Sequence, residues 1–460
     1  MRICPADGKW LAIALLVIAP RLLSRPTSQN LSSSQETGLK LTGPIRITKS
    51  TRIAPGTYQI RVPAGRAVID IDADNVTLNL SEVTITSGIK APWDRVGIGI
   101  RSEGHNHVTI IGGAVHGYKY GIFVQGVDQG IKVIGTDVSG NRAQKLLSTP
   151  THFNVKDWVD IFHLDSWESY GAGLYLKDVE YGWVKGVSAH NEQNGILLAN
   201  VSHTTVIDND VSHNSGWGIG LFNSSWNDIL DNHADWDVRC EGKTYSAGCD
   251  SAGVLLMDGS DYNRIVGNSF IHSGDGYFVS KPHTGHASND NYVAYNDGSY
   301  SPHNAFESTF TSGDQFYHNK ANHSDYGFWL GFSRNTTVTD NQIENCTHDG
   351  IAIEHGSGNF IVRNQIIDNR GAGIRLFRRQ PVPDPSRRYV ILQNTIAGNK
   401  IGILMNQTYD VMATMNNFSN NPVSIRVEKE SHRIFLKGNS YTPAGTKKIE
   451  VDSTSSVISN

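Results

Sequence analysis

A chain of 460 residues would ordinarily form two or three domains, but a repeat protein of this length can form one elongated domain. The formal net charge is −4 and no run of Lys and Arg occurs, which argues against a nucleic-acid partner. No internal stretch approaches the roughly 20 apolar residues that span a bilayer, so the body of the chain is expected to be soluble.

At the amino end, Arg2 and Lys9 precede the apolar run Trp10 to Ala19, which is the order of a secretory signal. No clean small-x-small cleavage site follows, so an uncleaved membrane anchor or a mis-assigned start is the alternative. We predict a signal peptide or N-terminal anchor over residues 1–23 and a polar linker over residues 24–43. The expected location is periplasmic or secreted.

From residue 45 onward, the chain contains short segments in which apolar and polar residues alternate. The first of them fall at residues 45–47, 58–62, 68–71, 76–80 and 108–111. A Gly-apolar-x-apolar signature then recurs in steps that are mostly 22 or 23 residues long, with four longer gaps that are typical of inserted loops. Its glycines are Gly121, Gly173, Gly195, Gly218, Gly253, Gly276, Gly327, Gly350, Gly373 and Gly402, and Ala305 fills the one missing register.

A second apolar strand lies between these glycines and ends in Asn. Because Asn and Gly tolerate left-handed backbone, each period is predicted to contain two or three strands separated by corners. An Asn that recurs at one corner is expected to form a ladder of side-chain hydrogen bonds between coils. The strand-ending residues are Asn209, Asn268, Asn341, Asn364 and Asn394.

The period predicts an all-β parallel β-helix over residues 44–440, followed by a C-terminal tail over residues 441–460. One strand cannot bury its apolar side alone, so successive periods stack with parallel strands about 4.8 Å apart. A helical repeat is excluded because the segments alternate with period two and carry Gly and Asn where a helix needs helix formers. A β-propeller is disfavoured because its blades need about twice this period.

These glycine-led and Asn-ended segments resemble the right-handed parallel β-helix repeat family. That family includes pectate-lyase-like enzymes, mannuronan C5-epimerases and periplasmic proteins that assist copper loading of nitrous oxide reductase. The resemblance spans about residues 44–440 and implies the fold, whereas one architecture carries many chemistries. It leaves two classes open: a carbohydrate-active enzyme, or a non-catalytic polysaccharide-binding or periplasmic metal-accessory protein.

The second and fourth residues after each repeat glycine are predicted to face outward, because the first and third are apolar and alternate residues of a strand face opposite sides. On this face Glu307 is expected one coil from Phe278 and one coil from Trp329, so that desolvation raises its pKa as a general acid requires. We predict Glu307 as the central catalytic residue, with a structural salt bridge to Lys281 or Arg375 as the alternative. The rings predicted to stack on sugars are Phe222, Phe278, Trp329 and Phe377, unless inserted loops cover them.

A glycosidase needs a second carboxyl about 5 to 10 Å from the first. Asp258 and Glu354 are expected at about 12 Å from Glu307 by the strand spacings, which leaves Asp237 or Asp275 as the closer partner. The catalytic candidates are Glu307, Asp258, Asp275, Lys281, His283, His303, Glu354 and Arg375, and Arg378 and Asp237 are further substrate-binding candidates.

Uronate elimination or epimerisation needs a cation beside the sugar carboxylate and a base that takes the proton, roles that suit Lys281, His283, His303 and Arg375. The mannuronan epimerases carry an Asp-Pro-His motif. This chain has Lys281-Pro-His283 and Ser301-Pro-His303, both without the Asp, and the departure weakens an epimerase assignment.

Two long loops, at residues 144–170 and 234–250, are expected to wall a cleft. Cys240 and Cys249 bracket the short Gly/Ser/Lys-containing segment of the second loop, so a disulfide is predicted in an oxidising compartment, with two free thiols as the alternative.

No cofactor is predicted. A pectate-lyase-like Ca²⁺ site needs clustered acids, and the outward positions supply at most one acid per coil, so calcium is only an alternative. His272, His303, His323 and His348 fall near one corner of successive coils, and we interpret them as solvated turn residues rather than metal ligands. The sequence thus predicts a monomer that acts on, or binds, a polysaccharide, with no membrane contact beyond a possible N-terminal anchor.

Overall fold

The computed structural model describes residues 38–149, 151–240, 248–443 and 448–459. They form a right-handed parallel β-helix, in which successive coils pair in parallel, as Ile196 does with Ile219. The predicted fold class is confirmed. The predicted N-terminal signal or anchor and most of the linker lie outside the described residues, and no helix within those residues is long and apolar enough to cross a membrane.

The first sheet carries the outward face on which the site was predicted. Within the described residues it has 16 strands, and their order in the sheet follows the order in the chain. These strands are Ile45–Ile47, Ala67–Ile71, Ile98–Glu103, Tyr120–Val127, Ala172–Glu180, Ile196–Ser202, Trp217–Phe222, Ala252–Met257, Asp275–Val279, Asn304–Ser308, Tyr326–Trp329, Ile351–Glu354, Ala372–Phe377, Ile401–Asn406, Val423–Glu428 and Ile449–Val451.

The second sheet follows the first after a short corner and also has 16 strands in the described part of the chain. These strands are Thr51–Arg52, Thr77–Asn79, Thr109–Ile111, Lys132–Ile134, Trp183–Lys185, Thr205–Ile207, Asp228–Leu230, Arg264–Val266, Tyr292–Ala294, Gln315–Tyr317, Thr337–Thr339, Phe360–Val362, Ser386–Leu392, Thr408–Thr414, His432–Lys437 and Val457–Ser459.

The third side of the coils is less regular. It has a group of strands at each end of the solenoid, and single parallel bridges continue it between them, as from Asp137 to Ser188. The strands of this side are Gly56–Gln59, Val83–Thr86 and Ala114–His116, then Gln342–Glu344, Gln365–Ile367, Thr395–Ala397, Asn417–Ser419 and Ser440–Thr442. Among the described residues, the α-helix Leu164–Tyr170 and the 3₁₀ turns Pro92–Asp94, Val155–Asp157 and Gly248–Asp250 lie outside the sheets.

The strands continue beyond residue 440, where the sequence predicted a polar tail. Ile449–Val451 and Val457–Ser459 extend the first and second sheets by one coil.

The repeat glycines allow adjacent coils to approach closely. A Cβ added to Gly350 would lie 2.7 Å from the carbonyl oxygen of Gly373 and 2.9 Å from the Cγ2 atom of Ile366. Neither contact leaves room for a methyl group. The first and third residues after the glycine, such as Ile196 and Leu198, are fully buried in the interior, as predicted.

The predicted Asn ladder is present at the corner after the second sheet. Asn268 shows its pattern: its Nδ2 donates to Asn296 Oδ1 at 2.9 Å, and its Oδ1 accepts from the backbone N–H of Asn232 at 2.9 Å. The amides thus satisfy backbone groups that no strand pairs at the corner.

Candidate active site

Glu307 lies on the outward face of the first sheet, opposite Phe278 on the preceding coil and Trp329 on the following one. This register is the one that the repeat predicts. Phe278 is buried, and the Glu307 side chain keeps 12% of its surface exposed. The carboxyl group is therefore largely desolvated and still reaches solvent.

Glu307 belongs to a cluster of acidic and histidine side chains that lie close enough together to hold one metal ion. It is the one such cluster within the described residues. Asp275, His303 and Glu307 each bring one oxygen or nitrogen atom to within 4.8 Å of the other two. His303 Nδ1 lies 2.9 Å from Asp275 Oδ1 and 3.9 Å from Glu307 Oε2. Asp237 and Asp275 were the two acids predicted as the closer carboxyl partner of Glu307. The structure places Asp275 beside Glu307, and Asp237 lies elsewhere.

Asn304 links the two acids of the cluster. Its backbone N–H donates to Asp275 Oδ1 at 2.9 Å, and its side-chain Nδ2 donates to Glu307 Oε2. Its own Oδ1 is buried without a hydrogen-bond partner among the described residues. Asn304 was not among the site residues predicted from the sequence. The available signal was that Asn304 directly precedes the repeat position Ala305, as Asp275 directly precedes Gly276.

The cluster changes the protonation of its members. Burial, and then the charge of Asp275, raises the pKa of Glu307 to about 8. Burial opposes a charge on the His303 imidazole, but Asp275 and Glu307 outweigh it and raise its pKa to about 10. At neutral pH the cluster therefore presents a protonated Glu307 beside a His303 imidazolium.

Asp250 is a further acid of this region that sequence reasoning missed. It follows Cys249, which forms the predicted disulfide with Cys240, and its carbonyl oxygen accepts from Trp217 Nε1 at 2.9 Å. Burial, and then the charge of Asp275, raises the pKa of Asp250 to about 7. A loop delivers Asp250, so no strand register predicted it.

The outward face upstream of the cluster is covered, which corrects the predicted aromatic surface. The helix Leu164–Tyr170 places Trp167 against Trp217, with ring centroids 4.2 Å apart, and against Phe222 at 5.4 Å. Phe222 and Phe278 are therefore buried in a second apolar cluster and do not form a platform for sugars. The structure therefore has the alternative arrangement, in which an inserted loop covers these aromatic rings.

Asp258, Lys281 and His283 do not join the cluster. Asp258 Oδ1 accepts from the backbone N–H groups of His283 and Thr284 at 2.8 and 3.1 Å, so it holds the following loop. Lys281 and His283 are exposed, and the His283 ring packs against His163 with centroids 4.4 Å apart.

Farther along the face, Glu354 and Arg375 have partners of their own. Glu354 Oε2 lies 3.4 Å from Arg379 Nη2, and Arg375 Nη1 lies 3.5 Å from Asp349 Oδ2. The salt bridge considered between Glu307 and Arg375 is therefore not formed. Phe377 is buried under the Arg375 guanidinium, whose carbon lies 4.5 Å from the ring centroid, so Phe377 offers no open face to a sugar.

Asp237 lies in the interior, which corrects its prediction as a substrate-binding group. Its Oδ1 accepts from the backbone N–H of Asn214 at 2.7 Å, and its own N–H donates to Ser273. Burial raises its pKa well above the ordinary value. It therefore occupies a position of an internal corner ladder, out of reach of any polymer.

The four histidines interpreted as solvated turn residues have three different environments. His272 and His323 belong to a stack of corner rings that includes Trp236 and Tyr300, with neighbouring centroids 3.9 to 5.0 Å apart. His348 packs on Tyr326, and His303 belongs to the acidic cluster. The stacking of rings along this corner explains why His272 and His323 recur at the same position of their coils.

Comparison with known proteins gives one family. A family profile described as periplasmic copper-binding protein (NosD) matches residues 64–301 and 279–454. No curated protein sequence matches the chain.

Several solved structures are similar in fold at low identity. A mutant of the periplasmic alginate epimerase AlgG is 12% identical over 91% of this chain and 77% of its own, with a TM-score of 0.37. The A-module of mannuronan C-5 epimerase AlgE6 of Azotobacter vinelandii is 12% identical over 89% of this chain and 91% of its own, with a TM-score of 0.34. The catalytic unit of a thermostable GH87 α-1,3-glucanase of Streptomyces thermodiastaticus is 10% identical over 89% of this chain and 64% of its own, with a TM-score of 0.42.

Since the family profile spans most of the β-helix, the chain belongs to the family of periplasmic copper-binding protein (NosD).

Proposed function

We propose that this chain is an exported carbohydrate-active enzyme that cleaves a polysaccharide, with Glu307 as the general acid. The observation that carries the proposal is the placement of the Glu307 carboxyl on the outward face, beside Trp329 and above the His303–Asp275 pair. A protonated carboxyl in such a place can give its proton to the leaving glycosidic oxygen as the C–O bond breaks, and water then adds its hydroxyl group to the sugar carbon while its remaining proton restores the Glu307 carboxyl.

The groups beneath Glu307 support this role. The Asp275 side chain is only 1% exposed, so it acts on the site through His303, whose side chain is 33% exposed. The imidazolium lies at the surface and can stabilise negative charge that develops on a substrate oxygen. Asn304 orients the Glu307 carboxyl through its Nδ2 donor.

Trp329 supplies the neighbouring apolar surface. It is half-buried, and it follows Glu307 by one coil, which is about 4.8 Å along the solenoid. An indole at this distance can pack on the sugar next to the cleaved bond. The covered coils upstream limit the polymer to the part of the face from Glu307 onward.

An exported location agrees with two observations. The family description places its members in the periplasm, and the Cys240–Cys249 disulfide requires an oxidising compartment.

The test is a polysaccharide panel that includes neutral glucans and polyuronates. New reducing ends report hydrolysis, and absorbance of unsaturated products reports elimination. We expect Glu307→Gln to lower turnover on the active polymer by about 100-fold or more. Glu344→Gln, on the third side of the coils, is the matched control and should keep full turnover. An inert wild-type protein, or full turnover of Glu307→Gln, would overturn the proposal.

A second candidate function is the binding of a metal ion by the same cluster, as the family description suggests. Two carboxylates and one imidazole suit a divalent cation such as Cu²⁺, and the cluster lacks the thiolate or thioether donors that Cu⁺ prefers. Asp275, His303 and Glu307 would hold the ion. Calorimetric titration with Cu²⁺ should then show one site in the wild type and none in His303→Gln, and equal binding by both would exclude this cluster.

A further inference from the structure

We propose that a cationic cavity downstream of Glu307 binds the acidic groups of an anionic polysaccharide, so that the polymer carries carboxylates or sulfates. This inference rests on the proposed function and adds the substrate class. The cavity has a volume of about 380 Å³ and lies on the outward face of the first sheet. Its charged lining residues are Arg375, Arg378, Arg379 and Lys429.

The lining of this cavity has one sign of charge. Four cationic side chains surround it, and none of its described lining residues is an acid. The amides of Asn406 and Gln407 complete the polar wall and offer hydrogen bonds to hydroxyl groups. Such a combination suits an acidic sugar, which presents both an anionic group and several hydroxyls.

Two of the four cations have no acidic partner of their own. Arg375 and Arg379 lie 3.5 and 3.4 Å from Asp349 and Glu354, and these acids offset part of their charge. Arg378 and Lys429 form no ion pair with any described residue. Arg378 is held in place instead by a hydrogen bond from its Nε to the Val382 carbonyl oxygen at 3.0 Å. No ion pair with a described residue therefore neutralises their side-chain charges, and both can contribute to binding an external anion.

One lining residue of the cavity, Phe377, lies next to Trp329 of the proposed cleavage site. The Phe377 ring lies 6.1 Å from the Trp329 ring on one side and under the Arg375 guanidinium on the other. Arg375 follows Glu307 by three coils through Trp329 and Ala352, which is roughly 14 Å along the solenoid. A polymer lying along the face would thus place an acidic group in the cavity while a bond several sugars away reaches Glu307.

Binding can be tested separately from cleavage in Glu307→Gln protein. The probes are polygalacturonate as the carboxylated polymer, dextran sulfate as the sulfated one and dextran as the neutral one, with affinity measured by affinity electrophoresis. We expect at least one acidic polymer to bind about tenfold or more tightly than dextran, and the difference to shrink at high salt. The polymer that binds identifies the anionic group.

The deciding variants remove the two unpaired charges. Arg378→Gln with Lys429→Gln should weaken acidic-polymer binding about tenfold and leave dextran unaffected. Lys429→Gln alone, at an exposed corner, should give part of the loss without disturbing the loop that Arg378 holds. Lys132→Gln with Lys185→Gln removes the same charge from the second sheet and should change nothing.

The outcomes separate this inference from the proposed function. Equal acidic-polymer affinity in the Arg378/Lys429 double variant and its charge-matched control, or dextran binding as tight as acidic-polymer binding, would overturn the cationic site even if cleavage occurs. Acidic polymers that bind through Arg378 and Lys429 but are not cleaved would support the site and contradict the enzymatic proposal.

Discussion

His303 Nδ1 lies 2.9 Å from Asp275 Oδ1, and the two residues belong to adjacent coils that are 28 positions apart in the chain. The carboxyl is buried and the imidazole is partly exposed. A buried carboxylate that carries a charge needs a partner, and here the partner is a group at the surface of the proposed site. The pair therefore controls the charge that the site presents to a substrate.

Replacing this buried acid should change the titration of the histidine. Asp275 is the main group that raises the pKa of His303 to about 10, so Asp275→Asn should lower that pKa, because the burial that remains disfavours the imidazolium. NMR titration of isotope-labelled histidine, with the signal assigned through His303→Gln, measures the change. Asp325→Asn, which removes the partner of the exposed His348, should leave His303 unchanged. An unshifted His303 in Asp275→Asn would contradict the pairing.

The buried Glu307 carboxyl should make stability depend on pH. Its pKa rises on folding from about 4.5 to about 8, so the unfolded chain releases its proton first, and the wild type loses stability as the pH rises between these values. Glu307→Gln lacks this loss. We expect its melting temperature to match the wild type at about pH 4.5 and to exceed it at about pH 9, by a difference in stability of up to about 5 kcal/mol. A constant difference across this range would show that Glu307 titrates normally.

The repeat in the sequence was enough to predict the rungs and their register. The alignment of Phe278, Glu307 and Trp329 follows from the step between repeat glycines, since strands one period apart must pair. The same step, applied to the corner, would have placed Asp237 in the interior, because it follows Asn214 by 23 residues.

The covered face and the position of Asp250 could not be predicted from the period. The helix Leu164–Tyr170 has seven residues, too few for an apolar periodicity, and Trp167 packs on coils that follow it in the chain. Asp250 reaches the site through a loop closed by a disulfide. Loops follow no register, so the side chains that they deliver cannot be predicted from the repeat.

The monomeric state expected from the sequence stays a prediction.

The Asn ladder should contribute strongly to stability. In Asn268, Oδ1 accepts from the backbone N–H of Asn232 and Nδ2 donates to the carbonyl oxygen of Ile229, both at 2.9 Å. Asn268→Ala leaves these buried groups unsatisfied, and we expect a loss of about 2 to 4 kcal/mol in chemical denaturation. Asn417→Ala, at an exposed strand position, should cost less than about 0.5 kcal/mol. Equal losses would mean that the ladder adds no stability.

The segment with the helix Leu164–Tyr170, which covers part of the first sheet, should detach without unfolding of the β-helix. Trp167 is fully buried against Trp217 and Phe222, in an apolar cluster separate from the interior core. Trp167→Ala should remove about 3 to 5 kcal/mol from the docking of this segment, while the interior keeps all its contacts. We therefore expect rapid proteolysis within residues 144–171 and a melting temperature within a few degrees of the wild type.

The control for this prediction is Trp226→Ala, which removes an indole that is 56% exposed and stacks at a corner on Tyr262. It should leave proteolysis of residues 144–171 unchanged. If instead Trp167→Ala lowers the melting temperature of the whole chain as much as it promotes cleavage, the cover and the β-helix unfold as one unit. The outward face before Glu307 would then stay covered as long as the chain is folded. A polymer could therefore bind only from Glu307 onward.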